Sequence, residues 1–130
     1  MKIVAFVLLT FALLNASPVS EGNQLFANGD YGKALESYLS ARKENPAEPA
    51  LFYNIGTCQY MLGNYEDAIK ELEPAVRFPD SSLAAKAAYN LANAYFRSGE
   101  KAESATKIEA WRQSIAYLKK AIELVPNYEK

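Results

Sequence analysis

The sequence contains no histidine and only one cysteine, Cys58, and its 14 basic and 15 acidic residues leave a net charge of −1. Without histidine, both histidine-based general base catalysis and histidine metal ligation are excluded. A single cysteine excludes an internal disulfide and a cysteine-rich metal site. A nucleic-acid-binding domain would carry an excess of basic residues, which this chain lacks. We therefore expect a protein that is not an enzyme, with no cofactor, no metal, no nucleic-acid partner and no small-molecule substrate.

The N-terminal segment has the plan of a secretory signal peptide. Lys2 precedes an apolar run over residues 3–14, and small residues follow it. A run of this length is too short to span a bilayer, which takes about 20 apolar residues. We predict a signal peptide at residues 1–16 with cleavage after Ala16, Ser17 being a rival site, and export to the periplasm or cell envelope. The alternative is that this run forms a buried first helix.

A 34-residue periodicity organises the rest of the chain. The pairs that match at this offset are Gly22 and Gly56, Gly29 and Gly63, Tyr31 and Tyr65, Ala34 and Ala68, Ala41 and Ala75. Downstream, Tyr53, Asn54, Tyr60 and Gly63 match Tyr89, Asn90, Phe96 and Gly99 at an offset of 36. A period of this size is typical of one helix-turn-helix unit. The sequence therefore predicts an all-α domain over residues 17–130, with repeats at about 17–48, 49–80 and 81–127.

Small residues and turn residues fix the expected shape of each repeat. Gly22, Gly56 and Ala92 are predicted to lie where the two helices of a hairpin approach most closely, because a larger side chain would separate them. Proline stops the hairpins near Pro46, Pro79 and Pro126, since it cannot continue a helix. Ser17 is predicted to cap the first helix, with Pro18 in its first turn.

The third repeat departs from this pattern. After Gly99 an aromatic residue is expected at position 101, but Trp111 takes that place, ten residues later. The inserted segment is rich in Ala, Glu and Lys, so we expect it to lengthen the second helix of the repeat. Apolar residues then recur at 3-4-3-4-3 spacing and form one seam: Ile108, Trp111, Ile115, Leu118, Ile122 and Val125. We expect either a later part of the protein or another chain to cover this seam.

The motif G-(x)6-G-x-Y-x-x-A-(x)6-A, followed by proline, resembles the tetratricopeptide repeat. That resemblance implies a right-handed solenoid of about three repeats, the last with an extended second helix, that binds other proteins without catalysis. The order of signal peptide, two repeats and a lengthened third ending in ELVPNYEK is also similar to the exported repeat proteins of bacterial Bat (aerotolerance) operons. Membrane-anchored proteins with von Willebrand A domains would then be the partners.

In a stack of this kind, the first helix of each hairpin lines the concave side. The residues that project there, and that we predict to bind a peptide, are Asn23, Phe26, Tyr53, Asn54, Thr57, Tyr60, Lys86, Tyr89, Asn90, Asn93, Phe96 and Arg97. Rings can cover apolar side chains of an extended peptide while amides hydrogen-bond its backbone. Because the set holds two cations and no acid, we expect it to favour an acidic segment or a C-terminal carboxylate. The alternative is that the aromatic rings simply pack between repeats.

Some tetratricopeptide domains hold a C-terminal carboxylate in a clamp of lysine, asparagine and arginine. Asn23, Asn54 and Lys86 fall at places that resemble this clamp, whereas Val19 and Asn90 stand where a lysine and an arginine are wanted. The acidic pairs Glu66–Asp67 and Glu71–Glu73 are predicted to be solvated surface residues rather than an acid–base centre. Cys58 is predicted to be buried.

Two functions follow from these surfaces. The first is an exported scaffold that binds a partner segment in the concave groove. The second is a structural oligomerisation module that uses the C-terminal seam.

Overall fold

The computed structural model describes residues 17–125, and the predicted signal peptide and the last five residues lie outside them. The described part forms six helices: α1 Pro18–Ala27, α2 Tyr31–Glu44, α3 Pro49–Met61, α4 Tyr65–Ala75, α5 Ser81–Lys101 and α6 Ser104–Leu124. They form three successive hairpins, as the repeat predicts.

Caps and glycines set the helix ends. The Ser17 side chain accepts a hydrogen bond from the Ser20 amide at 3.2 Å at the start of α1, which confirms the predicted N-cap. Asp80 accepts bonds from the amides of Ser82 and Leu83 and so begins α5. Gly29 and Gly63 both have φ of +80°, a conformation that favours glycine, and each lies in the turn between the helices of a hairpin.

The helices stack in chain order. Each helix packs against the one that follows it, and α3 also contacts α5, the first helix of the next hairpin. One buried cluster joins the first hairpin to α3 around Tyr38, Leu51 and Ile55. A second joins α4 to α5 around Leu72 and Leu91. Sequential packing with contacts only between near neighbours is the arrangement of a helical solenoid.

Two glycines permit the close approach that the sequence predicts. A Cβ added to Gly22 would lie 2.6 Å from the Tyr38 ring, and one added to Gly56 would lie 2.6 Å from Leu72 Cγ. Real Cβ atoms do not approach other atoms so closely, so a larger residue at either position would require the facing side chain or the helices to shift. Ala92 is fully buried as well. The prediction of close helix contact at these residues is confirmed.

The third hairpin is longer than the other two, and its turn lies elsewhere than expected. Helix α6 has 21 residues, against 14 in α2 and 11 in α4, which confirms the extended second helix. The match of Gly99 to Gly63 predicts that α5 ends at Gly99, and this prediction is wrong, because the helix continues to Lys101. Gly99 is buried, and an added Cβ would lie 2.8 Å from the Trp111 ring. Here glycine makes room for an indole instead of forming a turn.

Within residues 17–125, no helix is both long enough and apolar enough to cross a membrane.

Candidate interaction groove

Eight of the twelve predicted concave residues line two cavities, and Tyr60, Asn93, Phe96 and Arg97 line neither. The smaller has a volume of about 180 Å³ and lies between the first two hairpins. Its lining consists of Asn23, Phe26, Tyr38, Tyr53, Asn54 and Thr57. The Tyr38 hydroxyl donates a hydrogen bond of 2.7 Å to Asn23 Oδ1. Because this oxygen is already bonded within the protein, the cavity is held in shape by its own polar groups.

Several predicted rings serve as packing groups. Phe26 makes an edge-to-face contact with Tyr31, with ring centroids 5.1 Å apart. Tyr60 packs on Tyr65 at 5.7 Å. Tyr53 is half-buried and contacts the second core cluster. These three rings pack against other residues of the protein, which is the alternative to peptide binding that the sequence leaves open.

The larger cavity has a volume of about 510 Å³ and lies where α3, α5 and α6 meet. It brings together residues from both predicted surfaces. Its lining consists of Tyr53, Ala85, Lys86, Tyr89, Asn90, Leu118, Ala121, Ile122 and Val125. The concave surface and the C-terminal seam, predicted as separate sites, therefore form one apolar groove, which we call the α5–α6 groove.

Few polar groups in this groove are free to bind a ligand. The Thr57 hydroxyl donates to the Tyr53 carbonyl oxygen at 2.7 Å and accepts from Asn90 Nδ2 at 3.0 Å. Lys86 is exposed, and none of the ion pairs within residues 17–125 includes it. Lys86 is thus a positive charge available at the edge of an otherwise apolar lining.

Arg97, the other predicted cation, is already engaged. Its Nε donates to the Tyr65 hydroxyl at 3.3 Å, and its Nη1 lies 2.8 Å from Glu100 Oε2. The hydrogen bond to Tyr65 and the charge of Glu100 raise the pKa of Arg97. Lys101 lies over the Tyr65 ring, 4.7 Å from its centroid. Arg97 lines neither cavity, and Asn93 is half-buried outside both as well.

The seam on α6 is exposed along its length. The exposed fractions run from 38% at Trp111 to 75% at Ile122. Trp111 stacks on Phe96 of α5, with centroids 5.9 Å apart, and donates its indole N–H to the Phe96 carbonyl oxygen at 3.3 Å. On α5, Tyr89 is 55% exposed and Phe96 45% exposed. The two helices therefore present one continuous apolar strip, which the larger cavity enters at one end.

Glu71 and Glu73 are half-buried and bonded to other helices, whereas they were expected to be solvated surface residues. Glu71 accepts a hydrogen bond from Arg42 at 2.6 Å, which ties the second hairpin to the first. Glu73 accepts from the Tyr95 hydroxyl at 2.6 Å. Burial and this carboxylate together raise the pKa of Tyr95. The prediction for this pair is wrong because the partners come from other helices, which the local sequence does not reveal. Both residues stabilise the stack.

Cys58 is buried, as predicted, and burial raises its pKa to about 11. A thiol with so high a pKa is neutral near pH 7 and is a poor nucleophile. Among residues 17–125, no group of three or more Cys, Asp or Glu side chains is arranged to hold a metal ion.

Sequence reasoning missed four residues that shape these surfaces. Tyr38 and Tyr65 lie on second helices, which the concave projection left out. Ala85 and Ala121 line the larger cavity, and their small side chains provide its volume. Ala85 lies four residues before Tyr89, and Ala121 lies three residues after Leu118. This helical spacing is the signal that could have identified them.

Comparison with known proteins agrees with this architecture. The family model of the tetratricopeptide repeat matches residues 19–82. The small glutamine-rich tetratricopeptide repeat-containing protein 2 of Mycosarcoma maydis is 30% identical over 96 residues, which cover 74% of this chain and 26% of that protein. The photosystem I assembly protein Ycf3 of Rippkaea orientalis is 33% identical over 118 residues, covering 82% of this chain and 65% of that protein.

A solved structure is similar as well. The crystal structure of a thermophilic TPR protein of Thermus thermophilus matches with a TM-score of 0.76 and 28% identity, over 85% of this chain and 57% of that one. The chain spans less than two thirds of the length of each of these relatives. The predicted all-α solenoid is thus confirmed. The repeat motif, the stacked hairpins and these matches together make the chain a tetratricopeptide repeat protein, a family whose members generally mediate contacts between proteins.

Proposed function

We propose that this protein is a non-catalytic scaffold of the cell envelope that binds a segment of a partner protein in its concave groove. One observation carries the proposal: Lys86 and Tyr89 stand exposed side by side at the mouth of a cavity of about 510 Å³. An exposed ring next to a cation that lacks an ion pair suits a protein ligand with both apolar and acidic groups.

The charge of the groove indicates the kind of segment. Lys86 attracts a carboxylate, either an acidic side chain or a C-terminus. The two-carboxylate clamp receives less support, because Asn23 is bonded to Tyr38 and Val19 packs against the first core cluster. We therefore favour an acidic segment held by one lysine and an apolar surface over a clamped C-terminus.

The envelope setting depends on the order of segments in the sequence. The predicted signal peptide, the two regular repeats and the extended third repeat are similar to the exported repeat proteins of Bat operons. We propose on this basis that the partner belongs to a membrane-associated complex, with von Willebrand A domain proteins as candidates. Export itself is tested by whether the cell-envelope form of the protein begins at Ser17.

A second candidate function is supported by the exposed seam on α6. All six of its apolar residues are exposed, from Ile108 to Val125. Surfaces of this kind mark sites of contact with other proteins. In that case the seam would join this chain to another subunit of an assembly.

Co-purification from a membrane extract of the source cell distinguishes the two. The first bait is the chain from Ser17 without substitutions. Three variants are compared with it: the double exchange Lys86→Glu with Tyr89→Ala, the charge-matched control Lys43→Glu, and the seam variant Ile115→Asp. Lys86 and Tyr89 are both exposed, so the double variant should retain the fold. Tyr53 is not replaced, because it is half-buried and packs in the core. We expect the Lys86→Glu, Tyr89→Ala variant to lose the partner and Lys43→Glu to keep it. If the Lys86→Glu, Tyr89→Ala variant retained the partner and only Ile115→Asp lost it, the seam would be the favoured binding surface.

A further inference from the structure

We infer that the stack has a hinge between its first two hairpins, at which α1 and α2 move as one unit on a rigid body formed by α3 to α6. The smaller cavity lies across this joint, and the larger cavity lies within the rigid body. The hinge therefore makes the smaller cavity adjustable and leaves the larger one preset. This motion is independent of the proposed function, which depends on Lys86 and Tyr89 of the larger cavity.

Side-chain hydrogen bonds between the hairpins are distributed unevenly. Within residues 17–125, one joins the first hairpin to the second, from Arg42 to Glu71 at 2.6 Å. Four join the third hairpin to the second at 2.6 to 3.3 Å: Asn90 to Thr57, Tyr95 to Glu73, Arg97 to Tyr65 and Ser98 to Glu66. Their donors are spread over about two turns of α5. Because hydrogen bonds are directional, such a set fixes both the position and the rotation of one hairpin on the next.

The joint between the first two hairpins relies mainly on apolar contact. Tyr38 and Ala41 of α2 form one buried cluster with Leu51 and Ile55 of α3. Apolar contact is non-directional, so packed side chains can slide by small amounts without losing a specific bond. In the described part of the chain α3 also contacts α5, whereas α1 makes no comparable contact with α3. The first joint therefore depends mainly on α2, and the second on two helices.

The segments that connect the hairpins differ in the same way. Residues 45–48, between α2 and α3, are all exposed. Between α4 and α5, Phe78 is half-buried and packs on Phe52 of α3, with ring centroids 5.6 Å apart. Phe78 and Val76 also pack against the second buried cluster. The second connection is thus part of the core, whereas the exposed first connection can absorb small changes of backbone angle.

The smaller cavity has one wall on each side of the first joint. Asn23, Phe26 and Tyr38 come from the first hairpin, and Tyr53, Asn54 and Thr57 come from α3. The bond of Tyr38 to Asn23 lies within one wall, and the bond of Thr57 to the Tyr53 carbonyl oxygen lies within the other. Among the described residues, no side-chain hydrogen bond joins the two walls across the cavity. Each wall therefore keeps its own shape while the gap between them changes.

Distances between pairs of spin labels measure the two joints under matched conditions. Glu36, Lys70 and Ala116 are exposed and occupy the same repeat position on α2, α4 and α6. One labelled protein carries Glu36→Cys with Lys70→Cys, and the other carries Lys70→Cys with Ala116→Cys. The native Cys58 is buried and stays unlabelled. We expect the distance distribution for positions 36 and 70 to be at least about twofold wider than that for positions 70 and 116. Equal widths would overturn the inference.

Removing the single hydrogen bond at the first joint should widen only the first distribution. Arg42→Met keeps much of the aliphatic length but removes the donor, and should widen the distribution for positions 36 and 70 by about 1.5-fold or more. Glu71→Gln keeps the size of the side chain and should act in the same direction. Ser98→Ala removes one of four bonds at the second joint and should widen neither distribution. If Arg42→Met and Glu71→Gln widened both distributions, or neither, the hinge would not exist as described.

Amide hydrogen exchange distinguishes movement of the first hairpin as a unit from its local unfolding. The buried residues Tyr38 and Ala41 of α2 correspond to Leu72 and Ala75 of α4 at the 34-residue offset. If the hairpin moves as a unit, protection of the α2 amides around the first pair should lie within about tenfold of that of the α4 amides around the second. Loss of protection throughout α2 would show that the hairpin unfolds, and would overturn the inference.

Discussion

The rings of Phe96 and Trp111 stack 5.9 Å apart at an interplanar angle of 19°, although fifteen residues separate them in the sequence. The first was predicted as a concave binding residue and the second as part of the C-terminal seam. Their contact joins the two surfaces, so a ligand on either one would meet the other. Two functions that the sequence presents as alternatives share a single groove.

Replacing Phe96 tests this contact directly. Phe96→Ala should lower the free energy of unfolding by about 0.5–1.5 kcal/mol for the lost stacking, beyond the small change in buried area. Trp111 is the only tryptophan in the chain, so its emission should shift to longer wavelength as the indole gains water. Tyr89→Ala, two turns earlier on α5, is the control and should leave the emission unchanged. An unshifted spectrum for Phe96→Ala would show that the stack is not formed in solution.

Glycine exchanges test the close packing of the hairpins. Gly56→Ala places a Cβ 2.6 Å from Leu72 Cγ and should reduce stability by about 1–3 kcal/mol, because the Leu72 side chain or the helices must shift. Gly32→Ala is the matched control, since no atom lies within 4 Å of its added Cβ and its φ is not positive. That exchange should stabilise α2 by roughly 0.5–1 kcal/mol. Chemical denaturation followed by circular dichroism measures both. A stabilising effect of Gly56→Ala would contradict the packing described.

The ion pair between Arg42 and Glu71 should contribute more than the surface pairs. Both side chains are largely buried, at 28% and 21% exposure, and they connect the first hairpin to the second. Arg42→Ala should cost about 1–2 kcal/mol, because it leaves a partly buried carboxylate without its partner. Lys33→Ala breaks an exposed pair with Asp30 and should change stability by less than about 0.5 kcal/mol. If Arg42→Ala and Lys33→Ala lost the same stability in thermal unfolding, the pair of Arg42 and Glu71 would not couple the hairpins.

Alkaline pH should destabilise the fold through Cys58. Its pKa is raised from 9.0 to about 11 by burial, so the unfolded chain loses this proton at lower pH than the folded one. The stabilising effect is complete below pH 9 and is lost as pH rises toward 11. Tyr38, whose pKa burial raises to about 12, acts in the same direction at higher pH.

The free energy of unfolding, measured in urea across this pH range, checks the assignment. Cys58→Ala should start from a lower stability because it leaves a cavity, but should decline less steeply above pH 9. If the free energy of unfolding declined equally steeply above pH 9 in both proteins, the Cys58 thiol would not be the cause of the alkaline destabilisation.

Much of the fold could be predicted because local chemistry repeats. Gly22 and Gly56 are 34 residues apart, and each lies at the close contact between the two helices of its hairpin. The 34-residue period therefore predicts the order of the helices and the approximate positions of the turns. The turn after α5 could not be predicted in this way. Gly99 occupies the same position in the third repeat as Gly63 in the second. It lies against the indole of Trp111, ten residues after the position where the repeat predicts an aromatic ring. The choice between turn and helix depends on that distant side chain.

The groove was only partly predictable for a related reason. Tyr89 and Lys86 follow from projecting one helix, whereas the cavity also requires Ala121 and Ile122 from the next. The sequence predicts that Asn90 binds a ligand backbone, but its amide nitrogen already donates to Thr57, 33 residues earlier. Pairing across helices depends on exact rotation and distance, which spacing along one helix does not determine.

The extension of α5 beyond the regular repeat has a practical consequence. The connection at residues 102–103 follows Lys101, twelve residues after Tyr89, so about 18 Å of helix separate it from the larger cavity. A fluorophore or surface linkage attached at Ala102 would therefore leave the larger cavity open. Binding at Lys86 and Tyr89 could then be measured with a label placed far from both residues.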